Sequence, residues 1–210
     1  MDFQLRAATP GDAADLVRLI GELAEYERLT HLLEVTPELL RRHLFGDRPV
    51  AEAMVAEVAA TTQNAPRVVG FALYFTNFST FLGRPGLYLE DLYVEPAQRG
   101  RGIGQALLRA LAALALERGC GRFEWTVLDW NTPSINFYES MGASVLPDWR
   151  ICRVTGDALE RMARRRGAAR WANSSYRLTP TAYASEADQR CKEQPRWRSP
   201  TASGSCCSRS

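Results

Sequence analysis

The chain has 210 residues, a formal net charge of +2, 46% apolar residues and 24% charged residues. This length and composition are typical of a soluble globular protein with one ordinary domain. The nearly balanced charge argues against a dedicated nucleic-acid-binding protein, which would carry a concentrated basic face. The sequence shows neither the apolar core of a secretory signal nor a long apolar span. We therefore expect a cytoplasmic protein that binds no membrane.

The five cysteines are odd in number and lack the spacing of a metal site. We interpret them as reduced thiols and expect no bound metal. Three of them lie after residue 167, where Ser, Thr, Pro, Ala and Arg dominate and the apolar periodicity ends. This change predicts a folded domain over residues 1–166 and a disordered tail over 167–210, for which a frame-shifted extension is an alternative origin.

The folded region begins with a predicted strand, a turn and an amphipathic helix. Residues 3–8 form the strand, and Asp12 ends a Thr-Pro-Gly-Asp turn at a position where it can cap the helix. The helix extends to about Glu27 with one apolar face. Its end also carries Glu22 and Glu25, and an acidic cluster of this kind is ordinarily a solvated surface.

A second helix and a hairpin follow. Thr36 as N-cap and Pro37 at the first helical position predict a helix that ends near Gly46. Residues 50–58 and 68–76 are rich in β-forming residues, and a short polar segment separates them. This pattern predicts two antiparallel strands joined by a loop.

The central stretch combines a strand, a basic loop and a helix. After a polar and aromatic loop at 77–86, apolar residues alternate over 87–94, and a loop with three glycines leads into a helix at 103–117. A glycine-rich loop before a helix presents unpaired backbone N–H groups and the positive end of the helix dipole, which suits a phosphate. Arg99 and Arg101 add positive charge. Ordinary strand-to-helix connections can share the glycine pattern.

The last part of the folded region alternates strands and helices. We predict a strand at 123–128, a helix at 133–140, two brief strands at 144–146 and 149–155, and a final helix at 157–165. The order of elements predicts an α/β fold, in which a mixed sheet carries helices on both faces.

Four stretches resemble, in the same order, the GNAT (GCN5-related) N-acetyltransferases. Within that superfamily they are most similar to the diamine (spermidine/spermine) acetyltransferase branch and its thialysine-type members. The stretches are residues 18–27, 77–104, 127–143 and 148–150. The resemblance implies the GNAT fold, a mostly antiparallel sheet with a splayed parallel pair of strands. It also implies a homodimer that transfers acetyl from acetyl-CoA directly to a small amine.

The resemblance assigns the acetyl-CoA cosubstrate to the central strand and the loop after it. It implies that backbone groups of Leu92, Tyr93 and Val94 pair with the pantetheine arm, and that a backbone N–H there polarises the thioester carbonyl. Asn131 and Ser134 match positions that line the cofactor. The resemblance implies that the pyrophosphate binds to the loop and the start of the helix: Arg99, Gly100, Arg101, Gly102, Ile103, Gly104 and Gln105.

The acceptor amine requires a base, because an aliphatic ammonium has a pKa of about 10.4 and its nucleophilic form is scarce at neutral pH. Glu90 matches the family's carboxylate. Successive strand residues face opposite sides, so Asp91 points away from Glu90 unless a bulge intervenes. This alternation favours Glu90 over Asp91 as the base, with a structural carboxylate as the alternative. Tyr138 would be a core residue on periodicity alone, but it matches the family's general acid.

The acceptor site is implied by the same resemblance. Glu27 matches a substrate-contacting carboxylate, beside Glu90 and Asp91, and Trp149 is expected either to wall this cleft or to be buried. Polyamine-preferring members carry an extra acidic residue where this chain has Ser79, Thr80 and Phe81. The difference favours a short diamine or a lysine-like acceptor such as thialysine over spermine.

Two other functions stay open at this point. The same fold could acetylate a protein amine, which would require an open peptide groove. A non-catalytic acyl-CoA-binding module is the second alternative. The presence of both Glu90 and Tyr138 argues against it, because a binding module needs neither a base nor an acid.

Overall fold

The computed structural model describes residues 2–59 and 65–164. The chain divides into two units, of which the first is Met1–Arg150 and the second begins at Ile151. The domain boundary predicted after residue 166 lies outside the described residues. The predicted tail at 167–210 lies outside the described residues. The helices and strands, in chain order, are β1 (Phe3–Ala7), α1 (Ala13–Glu27), α2 (Pro37–Phe45), β2 (Glu52–Val58), β3 (Arg67–Ser79), β4 (Arg84–Val94), α3 (Ile103–Glu117), β5 (Arg122–Trp125), α4 (Thr132–Ser140) and α5 (Gly156–Arg164).

The five strands form one sheet in the order β1-β2-β3-β4-β5. The first four strands pair antiparallel with their neighbours, and β4 and β5 pair in parallel. The parallel pairing is short and joins Gly86 through Leu89 to Arg122 through Trp125. The predicted α/β fold, mostly antiparallel with one splayed parallel pair, is therefore confirmed.

Helices cover both faces of the sheet. On one face α3 buries Ile103, Leu107 and Leu111 against strand residues that include Leu87 and Leu89. On the other face α1 and α2 pack their leucines against Val55 and Phe71. The two apolar clusters fix the sheet from both sides, as the sequence predicted, because burial of apolar surface is the main favourable term in folding.

Two helix starts show how local sequence sets the element bounds. The hydroxyl oxygen of Thr36 accepts from the backbone N–H of Leu39 at 3.2 Å, and the predicted N-cap of α2 is confirmed. Asp12 does precede α1, but its carboxylate makes no capping hydrogen bond to that helix. It accepts instead from Thr9 N–H at 2.7 Å and from Arg6 at 2.8 Å. Asp12 therefore ties the turn to β1.

The prediction of a loop at 77–86 is wrong. β3 continues to Ser79 and β4 begins at Arg84, so a four-residue turn joins them. The turn is closed by the N–H of Gly83, which donates to Ser79 O at 2.8 Å, and Gly83 has φ 61°. Polar residues lie on this hairpin because its tip is exposed, and their polarity alone had suggested a loop.

The two brief strands predicted at 144–146 and 149–155 are also wrong, since neither forms within the described residues. β5 is shorter than predicted and ends at Trp125. A strand needs a neighbour for its backbone hydrogen bonds, and these segments have none in the described part of the chain. None of the described helices is long and apolar enough to cross a membrane.

Candidate active site

A β-bulge interrupts β4 at Glu90. In the ladder between β3 and β4, Leu73 pairs with Asp91 and Tyr74 pairs with Leu89, which leaves Glu90 without an opposite residue. A bulge breaks the simple alternation of strand side chains. Glu90 is exposed, whereas Asp91 is half-buried. The uninterrupted alternation that favoured Glu90 over Asp91 as the base is therefore absent.

Beyond the bulge, one edge of β4 is open. β5 ends where Trp125 pairs with Leu89, so residues 90–94 have no neighbouring strand on that side among the described residues. The N–H of Glu95 donates to Val69 O on β3 at 3.0 Å. Because successive residues direct their backbone groups to opposite sides, those of Val94 face the open edge.

The same alternation divides the three residues that the sequence assigned to the pantetheine arm. Leu92 and Val94 direct their N–H and C=O groups to the open edge, whereas the backbone groups of Tyr93 face β3. The Nε of Arg99 donates to Val94 O at 2.9 Å, which locates that carbonyl on the open side. Two of the three residues can therefore accept an added strand.

The glycine loop leaves room for a bulky anion. Gly100 and Gly102 have φ 74° and 83°, and a β-carbon at either position would meet no atom within 4 Å. Gly102 is also the N-cap of α3, whose first N–H groups lack helical partners. At Gly104 a β-carbon would lie 3.6 Å from Phe137 Cζ, which is an ordinary van der Waals distance. The loop therefore has open space beside the unpaired N–H groups at the start of α3.

The side chains around this loop have other partners. The Arg99 guanidinium lies over the rings of Tyr26 and Tyr93, at 5.4 and 5.5 Å from their centroids. Arg101 donates to Gln98 and to Asp2. Two residues at the start of α3 that the sequence assigned to the pyrophosphate have side-chain partners within the protein: Ile103 is buried in the core, and Gln105 contacts Met141 Sδ at 3.3 Å.

Asn131 connects α1 to the start of α4. Its side chain is only 6% exposed. Its Oδ1 accepts from Ser134 N–H at 3.3 Å, which caps α4, and from the Tyr26 hydroxyl at 3.1 Å. Sequence reasoning missed Tyr26, and the available signal was its position one residue before Glu27 at the end of α1. The Tyr26 bond holds this helix end beside the open edge.

Tyr138 lies in an apolar and acidic surrounding. Its ring packs edge-on against Trp125 with centroids 5.1 Å apart. Burial, as the largest cause, and the nearby Glu27, Asp91 and Tyr26 together raise the pKa of Tyr138 to about 12. The phenol is therefore protonated at neutral pH and available as a hydrogen donor.

Asp91 is a carboxyl that resists ionisation. Burial, as the largest cause, and the charges of Glu90 and Glu27 together raise its pKa to about 7. Burial likewise raises the pKa of Glu27. The structure thus brings Glu27, Asp91 and Tyr138 together from α1, β4 and α4. A carboxyl that titrates near neutrality and a protonated phenol can exchange protons with a substrate.

The acidic end of α1 divides between two environments. Glu22 accepts from Arg18 at 2.8 Å and from the Tyr93 hydroxyl at 3.2 Å, so it belongs to an ion-pair network. Glu25 is exposed, as expected of a solvated face. Of these three carboxylates, only Glu27 contributes to the raised pKa values of Asp91 and Tyr138.

Two aromatic residues lie apart from this cluster. Trp149 is 75% exposed, so it is neither buried nor packed as a wall against Glu27 and Asp91. Phe81 is 95% exposed at the tip of the β3–β4 hairpin.

These features lie at the open edge of a mixed sheet and form the candidate site. Residues 21–143 match the acetyltransferase (GNAT) family, and the chain belongs to that family. It is 40% identical to a thialysine N-epsilon-acetyltransferase of Bos taurus over 164 residues, which cover 76% of this chain and 96% of the relative. It is 37% identical to an L-ornithine N5-acetyltransferase of Arabidopsis thaliana, covering 76% of this chain and 87% of the relative.

Solved structures have the same fold. An integron cassette protein from the mobile metagenome of V. cholerae superposes with a TM-score of 0.63 at 27% identity, covering 78% of this chain and 99% of that one. The family inferred from four sequence stretches is therefore confirmed, and the protein is an acyltransferase.

Proposed function

We propose that this protein is an N-acetyltransferase that transfers the acetyl group of acetyl-CoA to a primary amine of a small aliphatic amine of the thialysine, diamine or polyamine type. The amine attacks directly in a ternary complex, without a covalent enzyme intermediate and without a metal. The observation that carries the proposal is the half-buried Asp91, whose pKa is raised to about 7 beside Glu27 and Tyr138. The activities named for the bovine and Arabidopsis relatives support the acceptor class.

The open edge and the glycine loop are the proposed site for acetyl-CoA, which supplies an activated acyl group on sulfur. The outward backbone groups of Leu92 and Val94 hold the pantetheine arm as an added strand, and one N–H polarises the thioester carbonyl. Asn131 and Ser134 line the cleft from α4. The pyrophosphate lies on the backbone of the loop and the start of α3: Arg99, Gly100, Arg101, Gly102, Ile103, Gly104 and Gln105.

Asp91 is the proposed base in place of Glu90. At neutral pH its ionised form is abundant, yet its pKa is high enough to take a proton from the bound ammonium, directly or through water. Glu27 and the exposed Glu90 attract the ammonium and, as like charges, help to keep the pKa of Asp91 high.

Tyr138 is the proposed acid. As the C–N bond forms and the C–S bond breaks, its hydroxyl donates to the leaving sulfur. The ammonium loses two protons in the complete reaction. One ends on the thiol of CoA through Tyr138, and the other leaves through Asp91 to solvent.

A homodimer and a cytoplasmic location complete the proposal. Several large apolar side chains of the first unit are well exposed, including Phe78, Phe81, Leu146 and Trp149. Such surface is typical of an interface. Light scattering at micromolar concentration should give twice the chain mass of 23.5 kDa. A monomeric mass would contradict the dimer. The reduced cysteines expected from the sequence favour the cytoplasm.

The activity is tested by release of free thiol from acetyl-CoA. The acceptor panel contains thialysine, lysine, ornithine, putrescine, spermidine and a histone peptide. We expect turnover with the short amines, and less with spermidine, because Ser79, Thr80 and Phe81 offer no carboxylate for a distant ammonium. Turnover on the peptide alone would favour acetylation of a protein amine. The proposal fails if no small amine is acetylated.

A further inference from the structure

Arg28 has an unusual backbone conformation. It follows Glu27 at the end of α1 with φ 61° and ψ 33°, and it is the one non-glycine residue with positive φ in the described residues. Its N–H donates to Glu25 O at 3.1 Å, and the N–H of Leu29 donates to Ala24 O at 2.8 Å. This left-handed turn is a normal way to end a helix, but glycine usually occupies it.

An unfavourable backbone conformation beside a functional site motivates a search for a function of the side chain. The Arg28 side chain is exposed. Although Arg28 is the chain neighbour of Glu27, the two form no ion pair within the described residues. The pKa of Glu27 is raised, with burial as its cause.

The acceptor site has a surplus of negative charge. Glu27, Glu90 and Asp91 contribute to it, and the charges of the first two raise the pKa of Asp91. Such a site attracts an ammonium but repels an acceptor that also carries a carboxylate. Two other arginines of α1 and the glycine loop are engaged elsewhere: Arg18 pairs with Glu95, and Arg99 lies over two tyrosine rings.

We propose that Arg28 determines acceptor specificity by binding the α-carboxylate of an amino-acid substrate while its side-chain amine enters the acidic site. A guanidinium matches a carboxylate with two parallel hydrogen bonds, which a diamine cannot use. The inference rests on the proposed function, because it specifies the acceptor class of that reaction.

The test compares acceptors that differ only in the carboxylate. L-ornithine is paired with putrescine and L-lysine with cadaverine, and kcat/KM is measured for each with saturating acetyl-CoA. In Arg28→Gly the ratio of kcat/KM for the amino acid over its matched diamine should fall at least about tenfold, as expected for loss of a charged hydrogen bond. Arg28→Lys, which retains the charge, should keep the ratio within about threefold of the wild type.

Stability provides an independent readout. Glycine suits the left-handed turn, so Arg28→Gly should raise the melting temperature by about 1 to 3 °C even as the ratio falls. The control is Arg42→Gln, an exposed arginine in the last turn of α2, which should leave the ratio unchanged. Arg28→Gln serves as a second variant that keeps a side chain.

The outcomes separate the two proposals. If the wild type acetylates none of the four amines, the proposed function fails. If it acetylates amines but Arg28→Gly and Arg28→Gln keep the wild-type ratio, the role of Arg28 is refuted. A wild type that accepts only the diamines, or an equal loss with both members of a pair, would refute it as well.

Discussion

Two carboxylates at one end of β4 have opposite surroundings. Glu95 directly follows the strand, is 7% exposed, and accepts from Arg18 at 2.7 Å and from Arg67. Asp91 lies four residues earlier. Its charged neighbours are Glu27 and Glu90, and both disfavour its ionisation.

The difference separates a structural role from a chemical one. The cations around Glu95 belong to α1 and β3, so this ion-pair network joins both elements to the end of β4. Asp91 lacks such compensation, and its proton is therefore available near neutral pH. Paired charges thus fix the end of β4, whereas the carboxylate beside the bulge has no cationic partner and is available for the proposed chemistry.

Asp91→Asn should have the largest effect, because it removes the proposed base. We expect kcat/KM for the amine to fall by about 10²- to 10⁴-fold. In the wild type, kcat/KM should rise as pH increases through about 7, since the ionised form of Asp91 is active and its pKa is about 7. A variant that keeps both the rate and this pH profile would show that Asp91 is not the base.

The same substitution should increase stability. The folded protein keeps a proton on Asp91 up to its pKa of about 7, whereas an unfolded aspartate loses it near 4. Asp91 therefore lowers the free energy of unfolding progressively as pH rises from about 4 to 7, and by a constant amount above. At pH 8, Asp91→Asn should raise that free energy by about 1–3 kcal/mol in urea titrations. A loss of stability would contradict the conclusion that Asp91 has no stabilising cationic partner.

Glu95→Gln should have the opposite effects: it should lower stability and leave the activity nearly unchanged. Two arginines lose a shared buried counterion, so the free energy of unfolding should fall by about 2–3 kcal/mol. The kcat of the folded fraction should change only a few-fold. Glu117→Gln, at an exposed position in the last turn of α3, is the control and should stay within about 0.5 kcal/mol of the wild type. A Glu95→Gln protein of normal stability would argue against a structural network.

Tyr138→Phe tests the acid beside Asp91. We expect kcat to fall by about 10- to 100-fold, with the KM for acetyl-CoA nearly unchanged, because only the donor to the leaving sulfur is lost. Tyr88→Phe is the matched control on β4, where Tyr88 packs against Phe75. Equal rates in the Tyr138 variant and the wild type would show that the phenol is not the general acid.

Glu90→Gln should have the smallest effect. Removing one like charge should lower the apparent pKa of the kcat/KM profile by less than about one unit, because Asp91 is then easier to ionise. The rate itself should change only a few-fold. A loss as large as that of Asp91→Asn would restore Glu90 as the base that the strand alternation favoured.

The sequence by itself determined the elements whose signals are local. Thr36 and Pro37 set the start of α2, and helical periodicity gave α3 its bounds of 103–117, which the structure reproduces. Caps and periodicity act between residues a few positions apart, so they can be identified without the rest of the chain. The glycine loop and the family were recognisable for the same reason.

The tertiary structure decided what depends on distant partners. The bulge at Glu90 exists only in the pairing of β4 with β3, and it changes which of two adjacent carboxylates is buried. The segments predicted as strands at 144–146 and 149–155 lack a neighbouring strand in the described residues and do not form. Likewise, only tertiary packing determines that Glu22 forms a structural ion pair whereas Glu27 lies near Asp91. Burial and like-charge proximity set the pKa of Asp91, and both arise from residues far apart in sequence.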